Sequence, residues 1–162
     1  MEAKVLSEML DKTRAMTRWY ISKMKDVDMH RTFEVEGKTL NSAFWITAHL
    51  AVTENWLTLT ATNGSPVDIP WRKQFSMGSE IPKPEDCPPI KEVLDKMKEV
   101  HAAAMEHISS LTDEQLAQPN AKGWDFGGTE TVKGIIQHAI RHEGTHTGHL
   151  SWLCKLHGIH LP

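Results

Sequence analysis

At 162 residues, with 40% apolar and 24% charged side chains, the chain has the balance of one globular domain and not of a disordered segment. A net charge of −3 argues against nucleic acid as a partner, because phosphate binding needs clustered basic charge. No apolar run approaches the roughly 20 residues that cross a bilayer. The opening residues Met1 to Val5 read as amphipathic helix without the apolar core of a signal peptide, and Cys87 and Cys154 offer no disulfide framework, so a cytoplasmic setting is expected.

Val5, Leu6, Met9, Met16, Tyr20 and Met24 recur at spacings of three to four and predict a first helix from Glu2 to Val27. The polar stretch from Asp28 to Lys38 reads as a connection with little regular structure. Asn41, with Leu40 just outside it, is the expected N-cap of a second helix that runs to Ala61 and stops at Asn63-Gly64. Between Ser65 and Pro89 the chain has six prolines and no helical period, the pattern of a long crossover loop, with Trp71 and Phe75 as its natural anchors. Pro88-Pro89 suit the start of a third helix burying Ile90, Val93, Leu94, Met97, Val100, Ala104 and Ile108. Thr112 and Gln115 form a capping-box pattern for one short turn. A loop from Pro119 to Thr129 then leads into a fourth long helix, capped by Thr131 or Thr129 and closed by Gly158 after His157. Four helices, no convincing strand and one long loop predict an all-α, up-down-up-down four-helix bundle, with residues 1–162 as a single domain.

Ten histidines stand out, six of them after position 137. At 100° per residue Ile135, His138, His142, His146, His149, Leu153 and Leu156 share a stripe about 80° wide. Ile136, Ala139 and Leu150 flank it, so the stripe is expected to face inward. Buried imidazoles need partners for their ring nitrogens, and one cation can serve two histidines spaced i and i+4. His49 shares the face of Trp45, Ile46, Val52 and Trp56 and is the one histidine of its helix. These observations nominate His49, His142 and His146 as ligands of one divalent transition metal, with a position left open for water or substrate. Zinc is the default ion, and nickel, iron and manganese suit the same donors. His138 and His149 lie one turn from the pair and are candidates for facing substrate or supporting the ligands.

His142-Glu143-Gly144-Thr145-His146 matches H-E-x-x-H, which would make Glu143 a protease base. No Asp or Glu follows His146, and the extended motif would need glycine and histidine where His149 and Trp152 stand. Glu143 also points about 100° from His142, so it is not assigned as a base. Glu54, beside the inward-facing Thr53, is within reach of the site's surroundings, and Cys154 reads as a packed small hydrophobe.

The stretch Thr47-Ala48-His49-Leu50, the run from Thr131 through His142-Glu143-Gly144-Thr145-His146 to Leu150, and the ending Leu156 to Pro162 together resemble the DinB/YfiT-like superfamily of metal-binding four-helix proteins. The resemblance covers essentially the whole chain. It implies His49, His142 and His146 as the three ligands, and a homodimer. His149 stands where that family commonly has glutamine.

An ion held by three neutral imidazoles keeps its positive charge and favours an anionic partner. A thiol brought to it would lose its proton, and water would have its pKa lowered towards about 7. Because the resemblance includes thiol-dependent transferases, the expected function is a metal-dependent enzyme that uses a low-molecular-weight thiol on a small-molecule substrate. A metal-dependent hydrolase is the alternative. A third is a non-enzymatic metal-binding protein, with His149 completing the coordination. The substrate pocket is expected between the loops Ser65–Pro89 and Pro119–Thr129, with Trp71, Phe75, Trp124 and Phe126 at its mouth.

Overall fold

The computed structural model describes residues 1–161; Pro162, the last residue of the ending that resembles the family, lies outside them. The chain is mostly helical, with α1 Glu2–Lys23, α2 Ala43–Glu54, α3 Ile90–Ser110, the short α4 Asp113–Ala117, and α5 Val132–Leu156. Among the described residues, no helix is long and apolar enough to cross a membrane, and both cysteines are free. The four long helices pack in neighbouring pairs, α1 on α5 and α3, and α2 on α3 and α5.

The first helix turns a different face inward from the one its apolar spacing suggests. Leu6 and Met24 are buried as expected, but Val5, Met9 and Met16 are half exposed, and the inward stripe is Ala3, Leu6, Leu10, Arg14, Thr17 and Ile21. Arg14 and Thr17 occupy core positions because acidic partners on other helices meet them. The connection after α1 also differs from expectation. Phe33–Val35 (β1) pairs antiparallel with Lys38–Leu40 (β2), with Phe33 opposite Leu40. Glu36 and Gly37, both at positive φ, form the two-residue turn whose twist suits a hairpin.

Ser42, not Asn41, caps α2 by accepting from the Trp45 amide at 3.1 Å. α2 then runs without a break through a π-helical turn, Asn55–Leu59, and a 3₁₀ turn, Thr60–Thr62. It stops at Asn63 in the left-handed conformation, so the expected end near Ala61 stands. Single π turns inside helices are frequent at functional sites.

The two loops are fastened by specific contacts. Phe75 and Trp71 are buried, and the Trp71 indole donates to Glu92 at the start of α3 at 2.9 Å. In the second loop, buried Asn120 donates to the carbonyls of Trp124 and Thr129 at 2.8 and 2.7 Å, and accepts from the Trp124 amide at 3.1 Å. Thr131 caps α5 through the Gly134 amide at 3.0 Å. A Cβ at Gly134 would lie 2.0 Å from the Gly128 carbonyl, so only glycine admits this close return of the loop.

Candidate metal centre

His49 sits on the inward face of α2, while His142 and His146 sit one turn apart on α5, the helix packed beside it. Each of the three offers a ring nitrogen, and these atoms all lie within 4.8 Å of one another, a group that could hold a metal ion. His49 Nε2 and His142 Nε2 are 3.3 Å apart.

The tautomer of His49 is set by the crossover loop. Its Nδ1 lies 2.7 Å from the Phe75 carbonyl oxygen, which can only accept, so Nδ1 carries the proton. Nε2 is thereby left with a lone pair directed at the α5 histidines, as an orienting carbonyl does for a ligand imidazole. Trp45 stacks flat on the His49 ring at 4.5 Å and restricts its rotation. Burial, reinforced by neighbouring imidazoles, pushes the pKa of His142 down to about 4 and that of His146 to about 3. Burial also lowers His49, against the opposing effect of its Phe75 hydrogen bond. All three rings are therefore neutral at pH 7, the form that binds metal.

His138 and His149 diverge from the trio in different directions. His138 is half buried, lies with its ring 6.0 Å from that of His142, and lines the cavity beside the trio. His149 is exposed, and its Nδ1 lies 3.3 Å from His146 Nδ1. The histidine stripe is thus not wholly inward. It runs along the edge of α5, with Ile135, Ile136, Ala139, Glu143, Thr147 and Leu150 forming the buried face next to it.

Behind the trio lies a buried polar cluster that sequence spacing did not reveal. Arg14 Nη2 of α1 donates to Glu54 of α2 at 2.8 Å and to Glu143 of α5 at 3.0 Å. All three side chains are at most 3% exposed. Thr17 donates to the second oxygen of Glu143 and lies 2.7 Å from the Thr147 hydroxyl. His101 of α3 bridges Glu54 at 2.7 Å and Asp11 at 3.1 Å. Burial opposes a charge on His101, but the bonds to Glu54 and Asp11 prevail and raise its pKa. For Glu143, burial outweighs the pull of Arg14 and raises the carboxyl pKa. Glu143 faces this cluster through Arg14 and Thr17.

The cavity beside the trio has a volume of about 710 Å³. It is lined by the π turn that follows α2, the crossover loop and Trp124, and by His49, His142 and His138. Trp124 lines it as expected. Trp71 and Phe75 are instead buried in the core, and Phe126 is 68% exposed. Their contribution is indirect, since Phe75 supplies the carbonyl that orients His49.

A search among proteins of curated function finds no match to this chain. A family model described as the DinB superfamily matches residues 9–150, a span that includes His49, His142 and His146. On that match over most of its length, the chain belongs to the DinB superfamily.

Proposed function

We propose that His49, His142 and His146 bind one divalent transition metal, zinc by default, and that the chain is a metal-dependent transferase acting with a low-molecular-weight thiol on a small-molecule acceptor. Convergence of three neutral imidazoles beside a cavity is the observation that carries this reading. The four long helices are read with it as an up-down-up-down bundle forming one domain. Half-exposed Val5, Met9 and Met16 on α1 support a homodimer.

The donor set fits such an ion. Three imidazoles, with the His49 tautomer fixed by Phe75, would leave such an ion able to take a further ligand, and His49 and His142 line the cavity. When bound, the ion would supply Lewis acidity that lowers the pKa of a thiol placed beside it. The protein's own part is to hold the rings neutral, to orient His49 through the Phe75 carbonyl and Trp45, and to seat the acceptor in the cavity. His149, exposed and outside the converging trio, does not favour the closed, non-enzymatic site.

Cobalt-loaded protein tests this reading through its visible absorption. Adding cysteine or glutathione is expected to shift the cobalt bands and to introduce sulfur-to-metal charge transfer. Absence of any shift with either thiol, together with chelator-sensitive hydrolysis of an activated ester, would move the assignment to a hydrolase.

A further inference from the structure

We infer that the cavity beside the histidine trio is built for an apolar organic anion, with its hydrophobic body on the Trp56–Trp124 wall and its anionic group on Arg72 and Lys73. The inference deepens the metal-site reading, on which it rests only for which end of the cavity is reactive.

Most of the cavity wall is apolar, formed by side chains such as Val52, Trp56, Leu57, Ile69 and Trp124. Trp56 and Trp124 touch each other with ring centroids 4.6 Å apart, so they present one continuous aromatic surface and not a slot. Several polar groups on the wall are already committed. Asn55 donates to the Val67 carbonyl and accepts from its amide, both at 2.9 Å, and Thr53 donates to the His49 carbonyl at 2.8 Å. Ser76 donates to the Arg72 carbonyl at 2.7 Å. A polar ligand body would lose its hydration here and find few partners, whereas an apolar one gains from burial. This makes the cavity a seat for the acceptor and not for a polar thiol.

Charge at the mouth selects the sign of the remaining group. Arg72 and Lys73 line the cavity on one 3₁₀ turn, and Asp68 lies beside them. Among the described residues none of the three is in an ion pair, which leaves one net positive charge at this edge. Burial, with Arg141 nearby, lowers the pKa of His138, which also lines the cavity. At about 30 Å³ per water, the cavity volume of about 710 Å³ corresponds to a ligand on the order of 20 non-hydrogen atoms.

The test is calorimetric titration of zinc-loaded protein with octanoate, octan-1-ol and octylamine. Octanoate is expected to bind at least about tenfold more tightly than either analogue. That preference should disappear in Arg72→Ala/Lys73→Ala, while Trp124→Ala weakens all three probes. Two results would overturn the inference: no saturable octanoate binding to zinc-loaded protein, or a preference for octanoate that survives in the double variant and vanishes on chelation, which would place the carboxylate on the metal. Octanoate binding that depends on Arg72 and Lys73 in a protein that takes up no zinc would uphold the cavity inference and remove the metal reading.

Discussion

Replacing Arg14 by Met is expected to cost about 3–5 kcal/mol of folding stability, read from denaturant midpoints at pH 7. The guanidinium is 1% exposed, and one of its nitrogens serves both Glu54 and Glu143. Truncating it leaves two carboxylates in the protein interior, with His101 still bonded to Glu54. Among the described residues Arg14 Nε and Nη1 have no hydrogen-bond partner, so the contribution of Arg14 resides in charge compensation through Nη2. Adding Glu143→Gln to Arg14→Met should therefore restore part of the loss, because it removes one uncompensated charge while keeping the side-chain volume. A loss below about 1 kcal/mol for Arg14→Met would show that the cluster does not depend on this charge.

Acidification is expected to destabilise the metal-free protein, lowering its melting temperature by on the order of 10 °C between pH 7 and pH 5. The sign follows from the histidine trio. His142 and His146 have pKa values pushed down to about 4 and about 3, and His49 is also lowered, from an ordinary value of 6.5. Between pH 6.5 and those values the unfolded chain binds more protons than the folded one, so stability falls as pH falls through that window. His101 acts in the opposite sense. Its raised pKa stabilises the fold below pH 6.5, and that contribution fades as pH rises through its folded value. Thermal melts of chelated protein beside chelated His142→Ala/His146→Ala separate the two, since the variant should lose most of the acid sensitivity. Equal slopes in both proteins would assign the acid response elsewhere.

The convergence of three histidines was legible in the sequence, because helical spacing alone places His142 and His146 one turn apart, and because His49 shares its face with tryptophans and aliphatic residues. What surrounds the trio was not legible. The Arg14 contacts reach 40 residues to Glu54 and 129 to Glu143, and no local pattern encodes such pairings. Apolarity alone favours Val5, Met9 and Met16 of α1 over Arg14 and Thr17, the polar residues that lie inside. The Phe75 carbonyl that orients His49 belongs to the backbone and leaves no trace in residue types. The same holds for the π turn at Asn55–Leu59, three residues of which line the cavity. The short hairpin has little signature in the sequence, because only Phe33 and Val35 alternate with polar residues before Glu36-Gly37 turns the chain.

Elemental analysis of purified, untagged protein beside His142→Ala/His146→Ala tests the central claim most directly. The metal-site account predicts about one equivalent of a transition metal in the parent and none in the variant. Parent protein that is metal-free as isolated, and that takes up neither zinc, nickel, iron nor manganese on reconstitution, would contradict it.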